Sequence, residues 1–143
     1  MKLLLRFMSL TTILFFISSC RPENNGEFPL AYVNIFIHPN STLYHELNIP
    51  GGWLYLTAQE PSRGILVYRL NMDEFKAYER TCPYDFHDPD ARISVEASGI
   101  TCACPVCGSK FILLDGTPFE GPATRSLRQY RTIYDGNSLH IFN

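Results

Sequence analysis

The hydrophobic positions of this chain alternate instead of recurring every third or fourth residue. In YVNIFIH (32–38), Val33, Ile35 and Ile37 fall on one face and Tyr32, Asn34 and Phe36 on the other, which is the period of a half-buried strand. Similar short runs of β-branched and aromatic residues follow: WLYLTA (53–58) after Pro50-Gly51-Gly52, GILVYRL (64–70), FKAYERT (75–81) and ARISVEA (91–97), the last with Ile93 and Val95 on one side. The closing third carries FILL (111–114) into Asp115-Gly116, SLRQYRTIY (126–134) into Asp135-Gly136, and SLHIFN to the last residue. Asp-Gly between alternating runs is a hairpin signal, because both residues tolerate the positive φ of a tight turn. No apolar i, i+3, i+4, i+7 pattern lasts three turns, although NMDEFKAY leaves room for one helical turn after Asn71. The pattern predicts an all-β domain of short antiparallel strands, a sandwich or small barrel, with no internal repeat.

The first twenty residues break the alternation. MKLLLRFMSLTTILFFISSC sets Lys2 and Arg6 beside an apolar run that ends in Ile17-Ser18-Ser19-Cys20. The run is too short for a hydrocarbon core of roughly 30 Å, so it reads as a signal peptide. Its last four residues resemble a bacterial lipobox, which implies that Cys20 carries lipid and becomes the mature N-terminus. The chain then divides into a signal peptide (1–19), lipidated Cys20 with a polar tether (20–28) and one domain (29–143), long enough for a core. The implied location is the bacterial cell envelope, facing periplasm or surface. Arg21 stands where Asp would retain a lipoprotein at the inner membrane of some bacteria, which points to the outer membrane.

Charge narrows the partners. Twelve Lys and Arg against fourteen Asp and Glu leave a formal charge of −2 with the signs interspersed, which excludes the clustered basic face of a nucleic-acid binder. Contact with a membrane is expected through lipid. Asn40-Ser41-Thr42 fits a glycosylation sequon, but in an exported bacterial chain it reads as a turn. His38, His45 and His140 are scattered, with His140 on the solvent side of its strand, and Trp53 is expected to anchor the core. No base, nucleophile and orienting group come together, so no catalytic residues are assigned.

Chemistry concentrates in the cysteines: Cys82 in RTCPYDF, then Cys102, Cys104 and Cys107 in TCACPVCGSKF. Cys104-Pro105-Val106-Cys107 has the C-P-x-C spacing of thiol–disulfide exchangers, but those lower the thiol pKa with a helix N-terminus. Here a strand and a turn follow. A tetrahedral four-cysteine zinc site or an all-cysteine iron–sulfur cluster is a second reading, with His87 available to complete a set, although zinc ribbons take two ligands from each of two knuckles. In an oxidising compartment the thiols can also close on each other and staple the loops.

The order of landmarks resembles the Rieske [2Fe–2S] domain family. Cys82-Pro83-Tyr84 falls on that family's first box, C-x-H. Cys104-Pro105-Val106-Cys107-Gly108-Ser109, with aromatic Phe111, falls on the second, C-P-C-H-G-S, and Gly121-Pro122-Ala123 on the loop that covers the cluster. The resemblance extends over about residues 29–143 and implies a stack of small antiparallel sheets with two cysteine-bearing loops. It places Cys82 and Cys104 as ligands of one iron, and Tyr84 and Cys107 where the family has histidines. Ser109 and Pro122 complete the matched site. Val106 replaces a cysteine that bridges the loops in many members, and Phe111 replaces a tyrosine.

Because the histidine pair raises the family's potential above that of all-thiolate clusters, the resemblance implies an altered site. The reading that follows is a cluster-free accessory or binding module without cofactor, stapled first between Cys82 and Cys104. The alternatives are a [2Fe–2S] electron-transfer protein with Cys82, Cys102, Cys104 and Cys107 as ligands, serving an oxidoreductase partner, or structural zinc on the same four. Cys102 is included because residues two apart on an extended segment project to one side. An apolar collar of Tyr84, Phe86, Phe111 and Phe119 is expected around the loops.

Overall fold

The computed structural model of the protein describes Phe28 and residues 31–143; the predicted signal peptide, Cys20 and nearly all of the tether lie outside the described residues. The described chain is all-β, as the alternation predicts, in two antiparallel sheets. Its strands are β1 (Asn34–Ile37), β2 (Trp53–Leu56), β3 (Ile65–Arg69), β4 (Phe75–Glu79), β5 (Ser94–Val95), β6 (Thr101–Ala103), β7 (Lys110–Ile112), β8 (Pro118–Glu120), β9 (Gln129–Tyr134) and β10 (Leu139–Phe142). The larger sheet has the order β1-β10-β9-β4-β3-β2 and the smaller β5-β6-β7-β8. Among the described residues no helix is long and apolar enough to cross a membrane.

Strand β3 shows how the sheets share a core. All five of its residues are buried, so its near-continuous apolar run signals cover on both faces. Ile65 and Val67 join Val33, Ile37, Phe75, Ala77, Leu139 and Ile141 on one side. Leu66 and Tyr68 face the other way, onto Ile93, Phe111, Leu113 and Leu127 of the small-sheet half. Strand β1 behaves as its alternation predicts, with Val33 and Ile37 buried and Phe36 exposed. Trp53 is half-buried at the margin of the second cluster and does not anchor it.

Three local predictions differ from the structure. The stretch after Asn71 forms a turn and no helix: Leu70 N donates to the Glu74 carbonyl at 2.8 Å, and Asn71 Oδ1 accepts from Asp73 N at 2.9 Å. The short helical element is a 3₁₀ helix at Thr42–Leu47, whose one buried residue is Leu47. It lies so close to the Gly52 backbone that a Cβ there would sit 1.8 Å from the Glu46 carbonyl oxygen. The hairpin after Asp115-Gly116 closes onto β8, a strand the sequence pattern does not reveal.

Arg69 ends β3 inside the core, only 2% exposed. Its Nη1 donates to Leu47 O at 2.7 Å and Asn40 Oδ1 at 2.9 Å, its Nη2 to Met72 O at 2.6 Å and its Nε to Asn71 O at 3.1 Å. The guanidinium carbon also lies 5.0 Å from the Phe75 ring centroid. One side chain therefore ties the 3₁₀ helix and the β3–β4 turn to the large sheet.

Candidate metal centre

Two loops of the small-sheet half bring sulfur together. Cys82 follows the bridge Thr81–Arg92 just beyond β4, and Cys104 and Cys107 lie in the turn between β6 and β7. The Sγ atoms of Cys82, Cys104 and Cys107 are all within 4.8 Å of one another, and the Cys82–Cys107 pair is 3.6 Å apart. Cys82 and Cys104 are buried and Cys107 is half-buried.

Cys102 is not part of this group. It shares the inward face of its segment with Cys104, as a period of two requires, but two residues of strand separate them by roughly 6.6 Å along the chain. Its thiol is fully buried among Ile93, Phe111 and Leu113, and burial, with Glu96 as a second cause, pushes its pKa up to about 12. All four are free thiols, so the Cys82–Cys104 staple implied by the resemblance is not formed in the structure. His87 is exposed and outside the group.

Backbone amides near each sulfur favour its thiolate form, those of Tyr84 and Asp85 at Cys82 and those of Val106 and Cys107 at Cys104. Contact with Cys82, reinforced by the two amides, holds Cys104 well below the ordinary thiol range. The same contact keeps the proton on Cys82, whose pKa is raised by it and by burial. A pair in which one sulfur is readily a thiolate is a ready metal ligand.

Ser109 links the third sulfur to the covering loop. Its fully buried hydroxyl accepts from the Cys107 thiol at 3.1 Å and from Ala123 N at 3.0 Å. Gly121, at φ +91°, lies against it so closely that a Cβ would come within 2.5 Å of Ser109 Cα. Pro122 is exposed at the loop tip. Of the expected collar, Phe86 and Phe111 are buried and Tyr84 packs partly against the cluster, but Phe119 is 51% exposed on the far face of the small sheet.

The sequence reading missed Glu79, which fixes the first loop. Its carboxylate is 2% exposed and accepts from Arg63 N (3.0 Å), Thr81 N (3.0 Å), the Thr81 hydroxyl (2.8 Å) and the Tyr130 hydroxyl (2.6 Å). Arg63 reaches on to Phe86 O at 2.8 Å and Ala91 O at 3.2 Å, holding both ends of the segment after Cys82. A charged residue closing the strand pattern of β4, on the same face as buried Phe75 and Ala77, was the available signal.

No protein-family model matches the chain, and no curated protein matches it. Among solved structures it is similar to the ferredoxin of carbazole 1,9a-dioxygenase from Nocardioides aromaticivorans IC177, at 18% identity and a TM-score of 0.47, over 81% of this chain and 98% of that one. It is also similar to a chain of the complex of reduced oxygenase and oxidized ferredoxin in carbazole 1,9a-dioxygenase, at 20% identity and a TM-score of 0.45, over 82% and 94%. A third is the ferredoxin of Sphingomonas yanoikuyae B1, at 23% and 0.41, over 66% and 87%.

Proposed function

We propose that the protein is a Rieske-like electron-transfer or metal-binding domain whose centre rests on thiolates. The observation that carries this reading is the convergence of Cys82, Cys104 and Cys107 from two loops, their sulfurs all within 4.8 Å of one another. The landmark order supports the family resemblance, as does the contact of Gly121 and Ala123 with Ser109. The family's own two-histidine cluster does not fit these residues: Tyr84 and Cys107 occupy the imidazole positions, and no histidine joins the group. What fits the donor set is a thiophilic metal.

Purified anaerobically, the full chain is expected to carry metal, and Cys104→Ser to lose it, because that change removes one of the three grouped sulfurs. Elemental analysis of the two proteins checks this; a metal-free chain after exposure to iron with sulfide, zinc and copper(I) overturns it. A second reading, the cluster-free stapled module, draws on the 3.6 Å between Cys82 and Cys107, from which modest side-chain rotation reaches bonding distance. It requires an intact mass that rises on reduction, in a chain without metal.

Export and lipidation at Cys20 are part of the same proposal, supported by Lys2, Arg6, the apolar run and Ile17-Ser18-Ser19-Cys20. Radiolabelled fatty acid fed to expressing bacteria is expected to mark the protein in the envelope fraction. Cys20→Ala is expected to abolish the label, and a label retained in that variant overturns the assignment.

A further inference from the structure

The three sulfurs constrain the kind of ion as well as its place. Resting on the thiolate-centre reading above, we propose that the site takes one three-coordinate soft cation, copper(I), held by Cys82, Cys104 and Cys107 alone. The spacing comes first. A triangle of sulfurs with sides of about 4 Å puts each vertex about 2.3 Å from its centre, a normal metal–thiolate length. The observed mutual limit of 4.8 Å and the 3.6 Å side fit one ion at that centre. A two-iron cluster spreads four ligands over two metals.

The second observation is the donor count. Among the described residues the group ends at three, with Cys102 sealed in the core and His87 exposed outside it. Closed zinc sites take four protein ligands. Three thiolates without nitrogen or oxygen suit the softest common ion, copper(I).

The third is how the charge is met. Binding forms three copper–sulfur bonds and displaces to solvent whatever protons the three sulfurs still hold, with no change of oxidation state. The resulting site carries two negative charges, and the buried Ser109 hydroxyl beside Cys107 is placed to meet part of them. The Ser109 hydroxyl, which now accepts from the Cys107 thiol, turns to donate once that sulfur is deprotonated, while Ala123 N continues to fill its lone pair. Val106, 43% exposed beside half-buried Cys107, leaves a way in at the loop tip.

The test is a titration of the reduced full chain with copper(I) against a chromophoric copper(I) chelator, with zinc and with iron plus sulfide in parallel, followed by X-ray absorption at the copper edge. The expected result is one copper(I) per chain with three sulfur neighbours, unchanged stoichiometry in Cys102→Ala, and loss of copper to the chelator in Cys107→Ser. Circular dichroism establishes that each variant is folded; if Cys107→Ser is not, the absorption measurement on the unaltered chain decides. Four sulfur neighbours, loss of copper in folded Cys102→Ala, or assembly of an iron–sulfur chromophore without copper binding overturns the three-coordinate assignment and leaves the thiolate centre standing. Failure to bind copper, zinc or iron overturns both.

Discussion

Arg69→Met is expected to destabilise the domain by about 3–5 kcal/mol, because one change removes a charged donor group from four acceptors at once. Methionine keeps much of the apolar stem, so the change isolates the guanidinium. It strands the buried Leu47 carbonyl and frees three part-buried acceptors, the carbonyls of Asn71 and Met72 and the Asn40 side chain, and an unpaired buried acceptor is costly. Arg69→Lys is expected to recover only part, since an ammonium has three donors at one point and cannot span four acceptors set around a planar fork. Urea unfolding monitored by Trp53 fluorescence checks this: a lower midpoint at unchanged slope is the expected signature. A midpoint within error of the parent in Arg69→Met would show that the network contributes nothing net.

Glu79→Ala is expected to cost a similar amount, about 3–5 kcal/mol, because Arg63 N, both Thr81 donors and the Tyr130 hydroxyl lose their acceptor together. Glu79→Gln, which keeps one oxygen, is expected to cost only about 1 kcal/mol. The pH dependence has a definite sign. Burial by itself would raise the Glu79 pKa, but the hydrogen bonds from Ser62, Tyr130, Arg63 N and Thr81 outweigh it and hold the carboxyl below its ordinary 4.5. A depressed folded pKa contributes stability that is complete above the unfolded value of about 4.3 and disappears as pH falls through the lower folded value. Urea midpoints of parent and Glu79→Gln should therefore differ most above the ordinary carboxylate range and converge as pH falls below it. Curves that stay parallel throughout would remove the carboxylate from the account.

Much of the fold was legible because a strand's inward face repeats every second residue. Val33 and Ile37, Ile93, and the Asp135-Gly136 hairpin can be read directly, and Gly136 takes a φ of +92° there. The division into six and four strands was not legible, since pairing joins residues as distant as Ile35 and Ile141. Strand β6 was hidden because Thr101-Cys102-Ala103 reads as part of a cysteine loop, and β8 because proline opens it. At the centre, two Cys-Pro dipeptides marked Cys82, Cys104 and Cys107. Alternation placed Cys102 on the correct face and then misled, because it gives a side of the strand and not a distance along it. Arg69 and Glu79 went unread because their importance lies in burial, and burial depends on the second sheet.

The connection from β4 to β9 has a further consequence. These strands are neighbours in the large sheet, paired through Ala77 and Tyr130, and Glu79 N donates to Arg128 O at 2.9 Å where they meet. To the six-stranded frame, the whole sulfur-bearing half is one hairpin loop. Closing a loop costs only about 0.6 kcal/mol more for each doubling of its length, so the frame is nearly indifferent to how long the excursion is, while its packed face still depends on Ile93, Phe111 and Leu113. Changes in the length of its turns are absorbed there without shifting the register of the strands that carry it.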